Sequence, residues 1–490
     1  MRASRRRAGC TDALAVAPHC SGIPLNSAPD SIPASPIVRP SACPGLVRVV
    51  AAADGGLCRI KLPGGRLDTR QARAIAAAAR LHGSGEIDAT NRANLQLRGI
   101  RDGASDALAR ALLEAGLGPR TSAGNTAIDA AALAASDDVR NVMLSPLAGH
   151  DPAALVDSRA LAMPLLDMLA SEPRRGELSP KFSIQLDGGE AVAALDHPHD
   201  VWLAAWRRGD GAVRLAAGLA GCPPVAHDDR PASVDVSIDQ GVALVRALLL
   251  AFLDLAPADV TRMRALLSMC GERMLLERAQ HYLPFPLAAD PTLAGWRRTP
   301  ADAALRFGAY PSRDAARCSI GAQFALGRLD AAQLERLAAL AEADGDGTLS
   351  MTPWQGVFMH GVSNQHAAAT REALASLGLV CAASDPLATL VACTGSAGCA
   401  KAHADTKRDA LALAARIGHP LDVHLTGCER HCALPHAAVH TLVAVAPERY
   451  DLYRRDAAAG LGALLARRLT IDQAAVRLMD ARHSQDTTDA

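Results

Sequence analysis

Residues 65–71 read Gly-Arg-Leu-Asp-Thr-Arg-Gln, and residues 327–333 read Gly-Arg-Leu-Asp-Ala-Ala-Gln. The similarity continues at the same offset: twelve of the 36 positions in 65–100 are identical to those in 327–362, without a gap. Chance explains far fewer identities, even in a chain this rich in alanine. We therefore infer that the chain contains an internal duplication.

Each copy has the same predicted order of elements. A short strand ends in a glycine turn, and a helix follows over about 68–82 or 330–343. A Gly-x-Gly turn then leads into a strand with alternating apolar residues. A further helix is predicted over 104–116 in the first copy and 365–377 in the second. This β-α-β-α order predicts a ferredoxin-like half-domain in each copy, and hence a mixed α/β (α+β) fold.

The duplication extends beyond the half-domains. Residues 183–190 align with 422–429 at an offset of 239, and residues 142–149 align more loosely with 392–399 at an offset of 250. We therefore predict two pseudo-equivalent halves. Clefts between domains are common ligand sites, so a site at the interface of the halves follows as a hypothesis.

Four of the twelve cysteines form a pattern that the other eight lack. Cys393 and Cys399 are separated by five residues, Cys428 and Cys432 by three, and 28 residues lie between the two pairs. A gap of five is long for a structural zinc knuckle, and the C-x-x-C of thioredoxin-like proteins is absent. Four thiolates from two loops favour a 4Fe-4S cluster, and Gly427 lets the backbone approach it. Such a cluster indicates a reducing compartment, so we predict the cytoplasm.

The first half lacks these ligands. At the offsets of the alignment, its equivalent positions are Met143, Gly149, Gly189 and Ala193. These side chains cannot hold a cluster, so only the second half is predicted to carry one.

Composition excludes several classes of protein. Lys plus Arg and Asp plus Glu each number 51, which argues against a generally basic nucleic-acid binder. Aromatic residues make up 3% of the chain, too few for a base-stacking platform. The apolar stretch 241–256 is short and interrupted by charges, so it predicts a buried helix and no membrane span. Residues 1–42 are rich in Ser, Pro and Ala and are predicted to be a disordered extension.

The predicted domain order follows from the repeats. It comprises an extension (1–42), a half-domain (43–125), a cluster-type domain without ligands (126–255), a connecting segment (256–300), a second half-domain (301–380), the 4Fe-4S cluster domain (381–470) and a C-terminal tail (471–490).

This alternation of half-domains and cluster-type domains, with C-x5-C followed by G-C-x3-C, resembles the nitrite/sulfite reductase superfamily. The resemblance covers roughly residues 43–465. The Cys-Pro-Gly-Leu start at 43–46 and the cluster stretch 424–435, followed by Thr-Leu-Val at 441–443, are similar to the precorrin-3B synthase family.

The resemblance implies oxygen-dependent hydroxylation of precorrin-3A, with lactone formation, in aerobic cobalamin biosynthesis. It implies a 4Fe-4S cluster on the four cysteines, a mononuclear non-haem iron, molecular oxygen, and a reductant that is nominally NADH. No dinucleotide-binding motif is present, so NADH would act through a partner reductase or bind in another way. Nucleic-acid and membrane partners are not expected.

A precorrin carries several carboxylates, so its site should be cationic, because arginine forks bind carboxylates bidentately. Matching by motif, the resemblance implies substrate-binding roles for Arg59, Lys61, Arg92, Asn94, Arg98, Arg140 and Lys181. Gln96 alternates with Asn94 on the same predicted strand. The Lys-Phe-Lys of the reductases reads Lys-Phe-Ser at 181–183, which argues against a small-anion substrate.

The ligands of a second iron and the catalytic residues are not assigned. Four histidines near the cysteines are candidate ligands: His424, His431, His436 and His440. Two alternative functions stay open. One is a sirohaem-dependent nitrite or sulfite reductase, and the other is an electron-transfer or tetrapyrrole-carrier module with a structural cluster.

Overall fold

The computed structural model describes residues 43–119, 130–288, 290–434, 438–456 and 460–486. The predicted N-terminal extension and His436 therefore lie outside the described residues. No helix in the described part of the chain is long and apolar enough to cross a membrane.

The two half-domains contain matching elements. The first comprises β1 (Val50–Ala52), β2 (Gly55–Ile60), β3 (Arg66–Asp68), α1 (Thr69–His82), β4 (Glu86–Ala89), β5 (Leu95–Ile100) and α2 (Ser105–Glu114).

Between the half-domains lies the first cluster-type domain. It comprises α3 (Ala130–Asp138), β6 (Val142–Leu144), α4 (Arg159–Ser171), β7 (Ile184–Asp187), β8 (His199–Arg207), β9 (Val213–Gly221), β10 (Val234–Val236), α5 (Gly241–Leu255) and α6 (Met263–Gln280).

The second half repeats this order. Its half-domain comprises β11 (Gly308–Pro311), β12 (Arg317–Phe324), β13 (Arg328–Asp330), α7 (Ala331–Asp344), β14 (Thr348–Met351), β15 (Gly356–Ser363), α8 (Ala367–Ser376) and β16 (Leu379–Val380). Its cluster-type domain comprises β17 (Leu390–Ala392), α9 (Thr406–Ile417), β18 (Val423–Thr426), β19 (His440–Ala446), β20 (Arg449–Arg454), β21 (Ala463–Leu469) and α10 (Ile471–Asp486).

The two half-domains exchange one strand each. β3 of the first copy pairs antiparallel with β14 of the second, and β13 of the second pairs antiparallel with β4 of the first. The resulting sheets have the orders β1-β2-β5-β4-β13 and β11-β12-β15-β14-β3. The exchanged strand is the repeated Arg-Leu-Asp, so this motif joins the two copies through main-chain hydrogen bonds.

The same motif starts the following helix in each copy. The Asp68 carboxylate accepts the Gln71 N–H at 2.7 Å, and the Gln71 side chain accepts the Asp68 N–H at 3.2 Å. Asp330 and Gln333 form the same capping box in the second copy. Each box satisfies two N–H groups that have no partner within the helix. The conserved spacing of Asp and Gln in the repeat therefore has a local structural cause.

The prediction of one strand after each Gly-x-Gly turn is wrong. That region is a hairpin of β4 and β5 in the first copy, joined by residues 90–94, and of β14 and β15 in the second. The Thr90 N–H donates to the Asn94 carbonyl at 2.9 Å, and Ala93 has a φ of 54°. The turn of the first copy lacks glycine and proline, so its sequence pattern does not reveal it, whereas the turn of the second copy contains Pro353.

The two cluster-type domains share one topology. The sheet orders are β10-β9-β8-β7-β6 and β17-β18-β19-β20-β21, with the same parallel and antiparallel pairings. Val142 pairs with Ile184, as Leu390 pairs with Val423. In this register Val142 is equivalent to Leu390. The sequence alignment had made Val142 equivalent to Ala392, which is two residues further along the chain.

In the corrected register, the residue of the first half that is equivalent to Cys393 is Ser145 and not Met143. The Ser145 hydroxyl donates to the Val192 carbonyl at 2.6 Å. The first half therefore has an internal hydrogen bond at the position of the first cluster ligand, and the conclusion that this half lacks the ligand set is unchanged.

The predicted buried helix at 241–256 is confirmed as α5. The region predicted as a connecting segment contains α6, whose Met263 and Leu275 lie in the same apolar core as Phe252 of α5. The region predicted as a C-terminal tail contains α10, whose Leu478 lies in the core of the second cluster-type domain. Both helices thus extend the domains beyond the boundaries suggested by the sequence.

Candidate functional site

The four predicted cluster ligands share one region of the second cluster-type domain. Cys393 directly follows β17, and Cys428 and Cys432 follow the parallel neighbour β18. Desolvation and the charges of Cys428, Cys393 and Cys399 together raise the pKa of Cys432. All four thiols are therefore close enough to interact electrostatically. Bringing four thiolates together is unfavourable unless a cation offsets their charge.

The loops that carry these cysteines fit a cluster. The Gly427 N–H donates to Cys393 Sγ at 3.1 Å, as a backbone amide does to a cluster sulfur. A Cβ at Gly427 would lie 2.5 Å from Ala402 Cβ, so this close approach requires glycine. Among the described residues, no three His, Cys, Asp or Glu side chains are grouped so that they could hold one metal ion. The thiols of a cube each bind a different iron, so a cluster does not require them to converge on one ion.

A cleft of about 170 Å³ opens beside two of the cysteines. Its walls come from the first half-domain and from the second cluster-type domain, which places it at the predicted interface. The lining side chains that bear on its chemistry are Arg59, Asp88, Gln96, Cys393, Lys407 and Cys432.

Among the predicted cations that are not exposed, Arg59 and Arg92 differ from the others because neither forms an ion pair with an Asp or Glu in the described part of the chain. With the Gln96 amide assigned so that its oxygen faces the guanidinium, this oxygen accepts from Arg59 Nη2 at 2.6 Å and from Nε at 3.0 Å. Arg92 donates to Ser183 Oγ at 3.0 Å, and burial is the main cause that lowers its pKa to about 10. A desolvated guanidinium without a carboxylate partner is a strong site for an anionic ligand.

Lys61 and Arg140 bind the end of helix α3. Lys61 Nζ is 1% exposed and donates to the carbonyls of Asp137 and Asp138 at 3.0 and 2.8 Å. Arg140 lies 3.2 Å from the Asp137 carboxylate. Cations at a helix C-terminus satisfy its free carbonyl groups. The structure gives these two residues a structural role between the first half-domain and the first cluster-type domain, and neither lines the cleft.

Arg98 connects the first half-domain to the loop between Cys393 and Cys399. It makes two hydrogen bonds to the Asp54 carboxylate, at 2.8 and 2.9 Å, and one to the Gly398 carbonyl at 2.9 Å. A Cβ at Gly398 would lie 2.2 Å from the Arg98 guanidinium. Arg98 therefore positions the cysteine loop, and its charge is already neutralised.

Asn94 and Lys181 flank the position of Arg92. The Asn94 side-chain oxygen accepts the Leu62 N–H at 2.8 Å, which holds the loop that carries Arg92. Lys181 is exposed, its ammonium has no partner among the described residues, and it lies two positions before Ser183, the Arg92 partner. Six of the seven predicted substrate contacts are cations, and among these six the described structure leaves Arg59, Arg92 and Lys181 without a carboxylate partner.

Sequence reasoning missed Asp88. Its carboxylate accepts from Arg328 Nε at 2.9 Å, from Arg98 at 3.3 Å and from Thr394 Oγ1 at 3.2 Å, and Lys407 Nζ lies 3.8 Å away. Burial alone would raise its pKa, but Lys407, Arg328 and Arg98 lower it. Asp88 thus links both half-domains to the cluster domain. Lys407 could have been noticed, because the chain contains only four lysines.

The equivalent interface lies between the second half-domain and the first cluster-type domain, and apolar side chains fill it. Gln96 corresponds there to Phe358, which packs with Leu147 and Val192 in a small apolar core. Arg306 covers the Trp354 ring at 3.9 Å. Only the first interface therefore combines a cleft with cations and cysteines in the described structure.

The candidate histidines for a second iron do not form a ligand set. The rings of His424 and His431 lie 6.0 Å apart at 64°. Desolvation is the main cause that lowers the pKa of His431 and of His440. No three-ligand group occurs among the described residues. We therefore assign no ligands to a second iron.

Comparison with known proteins shows several similarities. The family model "Nitrite/Sulfite reductase ferredoxin-like half domain" matches residues 51–115 and 310–377, and the model "Nitrite and sulphite reductase 4Fe-4S domain" matches 135–287. A precorrin-3B synthase of Sinorhizobium sp. is 30% identical over 86% of this chain and 84% of that protein. A chloroplastic ferredoxin–nitrite reductase of Zea mays is 28% identical over 77% of this chain and 67% of that protein.

A solved structure has the same fold. The Mycobacterium tuberculosis NirA protein matches with a TM-score of 0.67 and 19% identity, over 86% of this chain and 79% of that one. These findings confirm the predicted fold, with its two half-domains.

The 4Fe-4S family model covers the first cluster-type domain, whose cysteines are Cys222 and Cys270. The four clustered cysteines lie in the second domain of the same topology. The match supports an iron–sulfur protein, and the duplicated topology relates the second domain to the matched one.

Proposed function

This chain belongs to the precorrin-3B synthase family of the nitrite/sulfite reductase superfamily, and we propose that it hydroxylates precorrin-3A and closes the lactone in aerobic cobalamin biosynthesis. In this reaction one atom of molecular oxygen enters the product. The other leaves as water, with an electron pair and protons that a reductant supplies. The observation that carries the proposal is a pair of desolvated arginines without acidic partners in the described part of the chain: Arg59 lines the cleft beside Cys393 and Cys432, and Arg92 lies in the turn that joins β4 and β5.

The chain's own residues bind and orient the substrate. Arg59, held by Gln96, and Arg92, held by Ser183, would bind carboxylates on the rim of the tetrapyrrole. Asp88 and Arg98 hold the cysteine loop against the half-domain that binds the substrate. A 4Fe-4S cluster, held by the four cysteines, would supply electrons one at a time when bound.

Further parts of the proposal rest on the resemblance to the family. They are a mononuclear iron, NADH as the source of electrons, and a separate reductase that delivers them. We also propose the cytoplasm as the location, because free thiolate ligands persist in a reducing compartment.

The first test uses protein purified without oxygen. Iron, acid-labile sulfide and extractable tetrapyrrole are measured, and the protein is then assayed for oxygen-dependent conversion of precorrin-3A. We expect an iron–sulfur protein without haem that forms the hydroxylated lactone. Zinc without sulfide would contradict the cluster assignment.

A second candidate is a sirohaem-dependent nitrite or sulfite reductase. It is supported by the nitrite reductases that cover 77% of this chain at 26–28% identity. One extractable sirohaem per chain, together with reduction of nitrite or sulfite, would establish it in place of the synthase. Ser183, at the position of the second lysine of the reductases, favours the synthase.

Changing Arg92 to alanine is expected to raise KM for precorrin-3A by about 10- to 100-fold, with a smaller effect on kcat. The reason is the loss of a charge-assisted hydrogen bond, which contributes about 1.5–3 kcal/mol. Steady-state kinetics measure the effect. Arg207→Ala is the control, because Arg207 is exposed at the end of β8 and bonds only the nearby Gly211 carbonyl. Equal KM values for the two variants would contradict the role of Arg92.

A further inference from the structure

A second pocket, of about 250 Å³, adjoins Arg92 on the side of the first cluster-type domain. We call it the outer pocket. Its functional side chains are Arg92, His199, Asp200, Arg262 and Arg264. None of these except Arg92 was identified from the sequence. Repulsion from Arg262 and, more weakly, from Arg59 contributes to the lowered pKa of Arg92. Asn91 lines the cleft beside the cysteines and Arg92 lines the outer pocket, so the turn that joins β4 and β5 borders both cavities.

The outer pocket carries excess positive charge. Asp200 is the only acidic residue among the described residues that line it, and Arg262 already binds its carboxylate at 3.0 Å. The N–H groups of Met263 and Ser183 also donate to this carboxylate, at 2.8 and 3.0 Å. The Asp200 carboxylate thus already accepts hydrogen bonds from three residues of the protein. Arg92 and Arg264 remain without a carboxylate partner in the described part of the chain.

His199 lines this pocket and has a buried donor without a partner among the described residues. Arg92 Nη1 lies 3.4 Å from His199 Nδ1, and because a guanidinium can only donate, Nδ1 must accept. Complete burial, helped by the charge of Arg92, lowers the pKa of His199 well below its usual value. The neutral ring therefore carries its proton on Nε2. This nitrogen is buried and has no hydrogen-bond partner among the described residues.

We propose that the outer pocket binds a second carboxylate of the tetrapyrrole and that Arg264 is a specificity-determining contact. This inference rests on the proposed function. A macrocycle bears carboxylates around its whole rim, so a site that holds one edge through Arg59 and Arg92 meets further carboxylates beyond Arg92. Arg264 is exposed in the first turn of α6, where the helix dipole also favours an anion.

The test is binding of stable porphyrins to the full-length holoprotein, followed by the anisotropy of porphyrin fluorescence. The probes are uroporphyrin, an octacarboxylic porphyrin, and coproporphyrin, its tetracarboxylic analogue. Arg264→Ala is expected to weaken uroporphyrin binding about tenfold and coproporphyrin binding less. Arg264→Lys should restore part of the affinity, because it retains the charge but loses the guanidinium fork.

Arg273→Ala is the matched control. Arg273 lies in the part of α6 beyond the break at Gly271, is exposed, and pairs with Glu277 at 2.6 Å. Its removal changes the net charge equally. The inference fails if Arg264→Ala binds uroporphyrin like the unaltered protein, or if Arg273→Ala loses the same affinity. Unaltered protein that binds neither porphyrin would contradict the proposed function itself. The two failures are therefore distinguishable.

Discussion

Replacing Cys393 with serine is expected to abolish the iron–sulfur cluster of the purified protein. Four cysteine thiolates hold a 4Fe-4S cube, and a serine hydroxyl does not ionise in the range in which a thiol does. Cys393 is also the cysteine whose sulfur accepts the Gly427 N–H, so the variant loses a backbone contact to the cluster. Iron and acid-labile sulfide, measured after anaerobic purification, should fall to a small fraction of the unaltered protein's content, with loss of visible absorption.

Cys381→Ser provides the matched control. Cys381 lies twelve positions before Cys393 and is partly buried against the core of the half-domains. Its thiol donates to the nearby Leu379 carbonyl at 3.6 Å. This variant should keep its iron and sulfide. Full cluster content in the Cys393 variant would show that this residue is not a ligand. Equal loss in both variants would indicate that the cluster depends on general stability of the domain.

The repeated Gly-Arg-Leu-Asp motif predicted the duplication but not the exchange of strands between copies. Both copies contain the Arg-Leu-Asp strand (β3 and β13), and both contain a hairpin strand with which it can pair (β4 and β14). Pairing of β3 within its own copy and pairing with β14 of the other are therefore equally compatible with the sequence. The choice depends on how α1 and α7 pack against each other, which brings the two sheets side by side. Long-range pairing of this kind is a property of the assembled fold.

The sequence identified cations near the site but could not distinguish their roles. Arg92 and Arg98 lie in the same motif, yet Arg98 is neutralised by Asp54 and Arg92 has no acidic partner. The difference depends on which residue of a distant segment lies opposite each guanidinium, and the local pattern contains no information on that. The cysteine ligands were easier to predict from the sequence, because their spacing itself reflects the chemistry of the cluster. Lys407 was missed although the chain contains only four lysines.

Changing Asp88 to asparagine is expected to destabilise the holoprotein by about 3–5 kcal/mol at neutral pH, because removing one partner leaves buried charges uncompensated. Arg98, Arg328 and Lys407 all surround this carboxylate, which is 6% exposed as a residue. Thermal and urea unfolding of the loaded protein measure the loss. Since Asp88 connects three domains, we also expect the cluster domain to separate from the half-domains at lower temperature.

The pH dependence of the free energy of unfolding distinguishes the electrostatic role of Asp88 from a role in packing alone. The pKa of Asp88 is lowered in the folded protein by its three cations, so its stabilisation is present above the unfolded pKa of about 3.9 and is lost as pH falls through the folded pKa. The difference in free energy of unfolding between the unaltered protein and the Asp88→Asn variant should thus be largest near neutral pH and become smaller in acid.

Glu335→Gln is the control. Arg80 and Glu335 also form an ion pair between the half-domains, at 2.8 Å, but both side chains are exposed. Such pairs contribute little, so stability should hardly change. Equal effects of the two substitutions would mean that bridging the half-domains, and not burial of the charge, determines the contribution of Asp88.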